Sequence, residues 1–334
     1  MNILQNKKII VVGGAGYIGS HVCKELKACG AVPLTFDNFS SGNKHAIRYG
    51  PYETVDLCEK TEIFDALRKH SDAYAVVHLA SSIEVGFGEK HPAEFYSNNV
   101  TGALNLLDAM IDAKIDRLIF SSTCATYGET DQMPLSELQP QQPFSVYGKT
   151  KLAIEHMIQS YHKAYNLKYI TLRYFNACGA DESGEIGEEH DPETHLIPIA
   201  LYAAAGLRPR MKIFGTDYDT PDGTCIRDYI HVNDIANAHI CGFNALENGT
   251  HNLEVNIGTG KGVSNLEILK MIEKVTQSSV KYDVADRREG DLTQLYADPQ
   301  RAKTILAFTP KHSNLENIIQ TAWNFHKNKW NMKS

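Results

Sequence analysis

Tyr147 and Lys151 are four residues apart in the stretch SVYGKTK at 145–151. If this stretch begins a helix, both side chains lie on one face, one turn apart. A phenol beside an ammonium group is a candidate general base. The same spacing is common on ordinary helix surfaces, so the pair gains meaning only if a cofactor or substrate site lies next to it.

A glycine-rich segment near the start of the chain predicts such a site. In GGAGYIG at 13–19, Gly13, Gly16 and Gly19 recur at intervals of three, and Gly14 with the last two also satisfies GxGxxG. Glycines let a turn tighten and let a helix N-terminus approach a pyrophosphate. Asp37 ends the next predicted strand, where a carboxylate accepts ribose hydroxyls and repels a 2′-phosphate. These residues favour NAD over NADP as cofactor.

The predicted elements place the candidate residues along one edge of a sheet. Apolar strand-like runs alternate with amphipathic stretches from residue 7 to residue 175, which predicts α/β organisation with a doubly wound parallel sheet of seven or so strands. The strand that ends in FSSTCATYG brings Ser121, Ser122 and Thr123 to the carboxyl edge, where ligands of such sheets bind. Tyr147 and Lys151 follow on the next helix and should face the cofactor.

A tyrosine base at neutral pH needs its pKa lowered by about 3 units, or about 4 kcal/mol. One cation about 4 Å away, at an effective dielectric of about 20, supplies an interaction of about that size. Lys151 and a positively charged nicotinamide are therefore expected to lower the pKa of Tyr147.

After residue 176 the pattern loosens and predicts a smaller C-terminal substrate lobe. An acidic, glycine-bearing loop (179–195) comes first, followed by the short strand MKIFG and helices near 234–246, 265–275, 299–306 and 315–330. We expect a Rossmann NAD-binding domain over residues 1–176 and a substrate lobe over residues 177–334, partly interleaved with the first.

Composition limits the classes of partner. The chain has 334 residues and a net charge of -7, which argues against a nucleic-acid or anionic-membrane partner and suits a small-molecule ligand. Its apolar runs are short and its start lacks a secretory pattern, so a cytoplasmic protein is expected. Seven scattered cysteines without a CxxC pair indicate neither disulfides nor a zinc knot, and no metal site is expected.

Longer blocks of sequence resemble a known family. GGAGYIG, HLA at 78–80, NNVTG at 98–102, SSTCATYG, YGKTK, LRYFNACGA, EEHDPETHLIP, IFGTDYDTPDGTCIRDYIHV and RREGDL together resemble the extended short-chain dehydrogenase/reductase superfamily. More narrowly, the chain resembles the UDP-glucose 4-epimerase family over nearly its whole length. The last three blocks are the specific ones, because many sugar-nucleotide enzymes share the others.

The resemblance implies interconversion of UDP-galactose and UDP-glucose through a transient 4-keto sugar on tightly bound NAD, and a homodimer. Tyr147 would take the proton of the sugar 4′-hydroxyl, Thr123 would bridge that hydroxyl, and Lys151 would hold the nicotinamide ribose. The cofactor-binding residues it implies are Gly13, Gly16, Tyr17, Ile18, Gly19, Asp37, Asn38, Asp56, Leu57, Ala80, Asn98, Lys151 and Tyr174. The substrate-binding residues it implies are Thr123, Tyr147, Asn176, Leu196, Phe214, Arg227, Arg288, Asp291 and Leu295.

Three positions depart from the family pattern. Ile83 stands where a lysine that contacts the cofactor is frequent, and His195 stands where an asparagine near the uracil is frequent. Leu295 aligns with the position that limits sugar size, where the family varies between tyrosine and small residues. Leucine is intermediate, so we expect N-acetylated UDP-sugars to be turned over roughly tenfold to a hundredfold less efficiently than UDP-glucose and UDP-galactose.

Rival interpretations differ in what they require. A 4-epimerase for UDP-N-acetylglucosamine or a UDP-pentose fits the same motifs and stays open. A nucleotide-sugar 4,6-dehydratase needs an acid–base pair where Cys124 and Ala125 stand, which disfavours it. A non-catalytic NAD sensor has no use for Tyr147, Lys151 and Thr123 together with arginines on the UDP side.

Overall fold

The elements of the chain alternate between strands and helices along most of its length. The computed structural model describes residues 3–130, 132–288 and 290–330. The strands are β1 (Lys8–Val12), β2 (Val32–Asp37), β3 (Tyr52–Thr54), β4 (Ala75–His78), β5 (Arg117–Thr123), β6 (Lys168–Tyr174), β7 (Asn176–Cys178), β8 (Met211–Phe214), β9 (Ile226–His231), β10 (Asn252–Ile257), β11 (Gly262–Ser264), β12 (Tyr282–Ala285) and β13 (Gln294–Leu295). The helices are α1 (Tyr17–Ala28), α2 (Lys60–Lys69), α3 (Val85–Lys90), α4 (Pro92–Tyr96), α5 (Gly102–Asp112), α6 (Val146–Tyr165), α7 (Leu196–Ala204), α8 (Val232–Glu247), α9 (Asn265–Thr276), α10 (Gln300–Ile305) and α11 (Leu315–Lys329).

Seven parallel strands form the central sheet in the order β10-β6-β5-β4-β1-β2-β3. The chain first builds outward from β1 through β2 to β3, then restarts at β4 on the other side of β1. The strand order therefore reverses between β1 and β4. In open α/β sheets ligands bind at the carboxyl ends of the strands beside such a reversal. The predicted doubly wound parallel sheet is confirmed.

The strands of this sheet are apolar in long runs because helices cover both faces. Ile9 and Val11 of β1 belong to a core that includes residues of α1 and α8, whereas Ile10 and Val12 belong to a second core built with α2, α5 and α6. Neighbouring residues of one strand thus enter opposite cores, as the alternation of side chains along a strand requires. The sheet is held rigidly enough to position side chains at its carboxyl edge.

Several elements were not predicted from the sequence. The edge strand β3 is only three residues long, and α7 has the nearly uniform apolar sequence LIPIALYAA, which lacks the polar face of an amphipathic helix. The stretch 92–112, predicted as one helix, consists of α4 and α5 joined by a wider π-helical turn over Ser97–Thr101. These features arise from packing rather than from local periodicity.

The C-terminal part of the chain contributes to both parts of the molecule. α8 packs against α1, and β10 pairs with β6 to complete the central sheet. A separate core lies among α7, α9 and α11, beside a small sheet in which β9 pairs with β7, β11 and β13. The division of the chain at residue 176 stays a prediction. Within the described ranges, every helix is too short or too polar to cross a membrane.

Candidate active site

The glycine turn after β1 is closely packed against the strand ends. Gly13 has a φ of +83°, and a Cβ there would lie 2.6 Å from the backbone nitrogen of Ala80. A Cβ at Gly19 would lie 2.1 Å from the carbonyl oxygen of Gly13. Both positions therefore require glycine for the close approach of backbone to backbone.

Gly16 has a different reason to be glycine. A Cβ at Gly16 would meet Gly13 O at 3.4 Å as its nearest described neighbour, so the space beside it is open. Gly16 is also the N-cap of α1, and no described side chain caps this helix. The first N–H groups of α1, at Tyr17, Ile18 and Gly19, lie at the positive end of this helix beside the open space at Gly16, which suits a pyrophosphate.

Asp37 lies at the carboxyl end of β2 with its carboxylate fixed by the backbone. The N–H group of Ala15 donates to Oδ2 at 3.0 Å, and that of Phe39 donates to Oδ1 at 2.8 Å. Burial raises the pKa of Asp37, and these two hydrogen bonds oppose the rise. A carboxylate held beside the glycine turn fits the ribose of a dinucleotide. The residues of this chain therefore fit NAD, whose pyrophosphate would rest on α1.

The other cofactor residues carried over by motif lie in loops that follow the strands. Asn38 donates to Asp56 Oδ2 at 3.0 Å, and Asn98 donates to Ser82 Oγ at 2.9 Å. The carbonyl of Leu57 accepts a hydrogen bond from the Asn105 side chain. These bonds join the loops after β2, β3 and β4 to the helices behind them.

Asn99 is a positioning residue that the sequence analysis missed. Its buried amide accepts the N–H of Ser82 at 2.8 Å and donates to the Ser82 carbonyl and to Thr150 Oγ1, each at 3.1 Å. It thereby ties the loop after β4 to α6, the helix that carries Tyr147. The NNVTG block was the available signal, but only Asn98 had been assigned a role.

Lys151 is buried and bonded to the neighbouring strand. Its Nζ donates to the carbonyl oxygen of Ser121 at 2.9 Å and lies 5.9 Å from the centre of the Tyr147 ring. Burial lowers the pKa of Lys151 to about 7, and the charge of Glu155 opposes this shift. Lys151 can therefore change its protonation state near neutral pH.

Tyr147 lies in the first turn of α6, which is capped by Ser145 through a hydrogen bond from the N–H of Gly148 at 3.1 Å. Burial raises the pKa of the Tyr147 phenol, the Cys124 thiol adds to the rise, and a hydrogen bond with Thr123 opposes it. In the protein alone the pKa of Tyr147 is thus raised, which is opposite to the lowering expected from Lys151. Burial is the largest cause of this rise, and Lys151 is not among the causes of the shift, so the lowering expected from the lysine and a bound nicotinamide stays a prediction.

A buried ion pair lies behind this group. Arg173 of β6 makes two hydrogen bonds to Glu155 of α6, at 2.7 Å and 3.0 Å, and Ser122 donates to the same carboxylate at 2.5 Å. Glu155 is one helical turn beyond Lys151, so it supports the lysine electrostatically while fixing α6 to the sheet. The sequence analysis missed both charged residues, although the i, i+4 spacing from Lys151 was visible.

Tyr174 lies at the end of β6, in register with Thr123 of β5. Its phenol oxygen is 2.8 Å from Nε2 of the buried His239 of α8, and burial raises its pKa. His239 was not predicted as a site residue. It comes from the C-terminal part of the chain, and only the fold brings it next to β6.

Among the residues assigned to the UDP side, two arginines lie beside the carboxylate of Asp291. Arg227 Nη2 is 3.4 Å from Asp291 Oδ1, and Arg288 Nε is 3.7 Å from Asp291 Oδ2. The guanidinium of Arg288 stacks over the Phe214 ring at 4.3 Å. Two planar cations on one surface are suited to bidentate binding of a diphosphate.

Leu295 links this surface to the catalytic group. In β13 it pairs with Arg227 of β9, and its side chain packs on a cluster that contains Cys124, the residue after Thr123. Asn176 of β7 lies opposite Tyr229, two residues beyond Arg227 on β9. Leu295 therefore lies between Arg227 and the cluster that contains Cys124.

The other departures from the family pattern lie elsewhere. Ile83 is exposed. His195 is the N-cap residue of α7, directly before Leu196, and its Nδ1 lies 3.0 Å from both Glu188 and Glu193. Burial would lower the pKa of His195, but the two carboxylates raise it to about 10. His195 therefore interacts with acidic side chains, and a contact with the uracil stays untested.

The fold and the site define a class of protein, the Rossmann-type enzymes that perform dehydrogenase chemistry with a tyrosine and a lysine on one helix. The family model described as the NAD dependent epimerase/dehydratase family matches residues 9–258. The chain belongs to this family. NAD as the cofactor and an enzyme of the epimerase class, both predicted from the sequence, are confirmed.

Relatives and solved structures agree with this placement. A UDP-glucose 4-epimerase of Rhizobium meliloti (strain 1021) is 46% identical over 323 residues, which cover 97% of this chain and 98% of that protein. The crystal structure of UDP-glucose 4-epimerase from Brucella ovis in complex with NAD shares 46% identity with a TM-score of 0.93, covering 96% of this chain and 98% of that one. The UDP-Glc/GlcNAc 4-epimerase of Campylobacter jejuni shares 35% identity with a TM-score of 0.85, covering 97% of this chain and 100% of that one.

Proposed function

We propose that this protein is a UDP-glucose 4-epimerase, which interconverts UDP-galactose and UDP-glucose on tightly bound NAD. One observation carries the proposal. Thr123, Tyr147 and Lys151 lie together at the carboxyl edge of the sheet, and Leu295, which pairs with Arg227, packs on the cluster that contains Cys124, the residue after Thr123. The names of the relatives support the same activity.

Each residue of the catalytic group has a separate task in this proposal. Tyr147, once ionised, accepts the proton of the sugar 4-hydroxyl, while the Thr123 hydroxyl hydrogen-bonds to that oxygen and orients it. Lys151 binds the ribose beside the nicotinamide and adds positive charge near the phenolate. When bound, NAD supplies the acceptor and later the donor of a hydride, and its oxidised ring is positively charged. The site therefore removes and restores hydrogen at C4 without net oxidation.

The UDP side holds the nucleotide part of the substrate while the 4-keto sugar rotates. Arg227 and Arg288 bind the diphosphate, and Asp291 keeps both guanidinium groups oriented. Asn176, Leu196 and Phe214 complete the nucleotide site in this proposal. Because the anchor is the nucleotide, the 4-keto sugar can present its opposite face before hydrogen returns.

Assembly and cellular setting are proposed on the same basis. We expect a homodimer through the helices around α4, α5 and α6, where Tyr96, Leu104 and Tyr165 expose apolar surface. The cytoplasmic location expected from the sequence is proposed as well, and the proposed reaction would belong to galactose metabolism. Light scattering on the purified protein tests the dimer, and a monomer at micromolar concentration would contradict it.

The activity is tested by incubating purified protein with UDP-galactose without added NAD and following UDP-glucose by NMR. We expect UDP-galactose and UDP-glucose to reach the same equilibrium mixture, whichever of the two is supplied at the start. The second candidate, a preference for UDP-N-acetylglucosamine or a UDP-pentose, is favoured by the absence of a phenol ring at Leu295. A panel of these sugars decides between them, since the substrate with the highest kcat/KM identifies the pair. Absence of turnover with every member would overturn the proposed function.

A further inference from the structure

Four side chains with metal-binding groups meet in the acidic segment between β7 and α7. Glu188, His190, Glu193 and His195 each present one ligand atom, and these atoms all lie within 4.8 Å of one another. We propose that this group, here called the His2Glu2 cluster, binds a divalent metal ion of the zinc type. The cysteine pattern indicates no metal site and this segment is interpreted as a loop, so the cluster was not predicted from the sequence.

The distances within the cluster fit a tetrahedral ion. His195 Nδ1 is 3.0 Å from oxygens of both Glu188 and Glu193. His190 Nδ1 is 3.5 Å from Glu188 Oε1 and 3.6 Å from Glu193 Oε2. Zinc bonds to nitrogen and oxygen are about 2.0 to 2.2 Å long, so ligand atoms at the corners of a tetrahedron are separated by about 3.3 Å. The four measured separations lie on both sides of that value, with Glu193 presenting Oε1 to His195 and Oε2 to His190.

One atom of the cluster is not accounted for by hydrogen bonds. His190 Nδ1 is buried and makes no hydrogen bond with any described residue. His195 Nδ1 is within hydrogen-bond distance of Glu193 Oε1, at 3.0 Å, whereas His190 Nδ1 is 3.5 Å or more from both carboxylates. A shared ion would give this buried nitrogen the partner that the carboxylates alone do not supply.

The carboxylates are held in place as metal ligands usually are. Oε1 of Glu193 accepts the N–H groups of Thr194 at 2.7 Å and His195 at 2.8 Å, which fixes its orientation. The side chain of Glu188 is buried, whereas that of His195 is 46% exposed and leaves a path for the ion. Such supporting bonds orient metal ligands and contribute to affinity.

With four protein ligands, the proposed site is closed and therefore structural rather than catalytic. The cluster lies between the cofactor helix and the substrate side. The His190 ring packs edge-on to Tyr17 of α1, whose hydroxyl donates to the carbonyl of Gly179 at 2.6 Å. At the other end, His195 is the residue directly before α7, which begins with Leu196. A bound ion would fix this segment relative to both the cofactor helix and α7.

The test uses the full-length protein with its NAD, dialysed against a chelator and titrated with Co²⁺. We expect saturable binding of one Co²⁺ per chain, with the visible absorption of a four-coordinate site, and displacement of that signal by Zn²⁺. His190→Ala and Glu193→Gln should each weaken binding about 10- to 100-fold. His156→Ala removes an exposed histidine of α6 and should bind as the parent does.

Two results would overturn the metal site. One is the absence of saturable Co²⁺ binding, and the other is binding that survives unchanged in both His190→Ala and Glu193→Gln. Circular dichroism shows whether each variant folds, and Glu193→Gln, which keeps the shape of the side chain, carries the test if His190→Ala does not fold. Epimerase activity is not the readout, so failure here leaves the proposed function intact.

Discussion

The buried ammonium of Lys151 donates a hydrogen bond of 2.9 Å to the backbone carbonyl of Ser121, which lies two residues before the end of β5. This bond connects α6 to the strand that carries Thr123. Because Tyr147 is one turn before Lys151 on α6, the phenol, the ammonium and the Thr123 hydroxyl are positioned together. A change at Lys151 should therefore alter both the charge near Tyr147 and the cofactor site.

Tyr147→Phe removes the proposed proton acceptor and little else. The helix cap at Ser145 and the cofactor contacts remain, so we expect a folded protein that still retains NAD. Turnover should fall about 10²- to 10⁴-fold, the usual contribution of a general base. Kinetics with UDP-galactose and the absorbance of released NAD measure the two effects separately. Activity close to that of the parent would remove Tyr147 from the role of base.

Lys151→Ala removes the nearest side-chain cation to the phenol. The pKa of Tyr147 in the complex should rise, so the base becomes available only at higher pH. We expect weaker NAD retention and a pH–rate profile whose acidic limb moves upward. A profile with an unchanged acidic limb would show that the lysine does not tune the tyrosine.

Glu155→Gln leaves the guanidinium of Arg173 buried without its charged partner. Removing one member of a buried pair costs about 3–5 kcal/mol of unfolding free energy. Asp283→Asn is the matched control, because Asp283 pairs with Arg210 on the surface, where such pairs contribute about 0–1 kcal/mol. Urea unfolding of both variants checks the difference. Equal losses would contradict a structural role for the buried pair.

His78 should make stability depend on pH. Burial lowers the pKa of His78 to about 3, and the charge of Lys151 adds to the shift. Below a pH of about 6.5, His78 therefore binds a proton in the unfolded chain but not in the folded chain. The free energy of unfolding then decreases as the pH falls from that value toward the pKa of His78 in the folded chain. Between pH 7 and pH 5 this residue alone accounts for about 2 kcal/mol of lost unfolding free energy.

Replacing His78 by leucine tests this pH dependence. Neither ring nitrogen of His78 hydrogen-bonds within the described part of the chain, so the substitution removes no such bond. Urea unfolding at pH 7 and pH 5 should show a smaller loss in His78→Leu than in the parent, by about 2 kcal/mol. His156→Leu, on the exposed side of α6, should lose as much as the parent. The same loss in all three proteins would show that His78 is not responsible.

Leu295→Ser should widen the sugar site. The leucine side chain lies beside Arg227 and packs on the cluster that contains Cys124, so its removal opens space between the diphosphate and the sugar. We expect kcat/KM for UDP-N-acetylgalactosamine to rise about tenfold or more. The kcat/KM for UDP-galactose should stay within a few-fold of the value for the parent protein. If neither value changes, the residue that limits sugar size lies elsewhere.

The sequence predicts what depends on local pattern. The turn at Gly13 and Gly16, the carboxylate of Asp37 and the helix that carries Tyr147 all lie within short stretches whose spacing has a direct geometric meaning. The alternation of apolar runs likewise predicts the parallel sheet. These features could be assigned before the fold was known.

The features that the sequence did not predict depend on contacts between distant segments. Arg173 meets Glu155 only because β6 lies beside α6, and His239 reaches Tyr174 only because α8 returns to the central sheet. The raised pKa of Tyr147 reflects burial, which cannot be judged from the spacing of Tyr147 and Lys151. Long-range packing therefore decides the electrostatics of the site even where its residues are visible in the sequence.

The central claim is that hydrogen leaves C4 of the sugar and returns to the same carbon on the opposite face, without exchange with water. UDP-galactose carrying deuterium at C4 tests it directly, with purified protein in ordinary water and mass spectrometry and NMR of the UDP-glucose formed. If hydride leaves and returns within the site, the deuterium is retained at C4 of the product. Loss of the deuterium to water would contradict it.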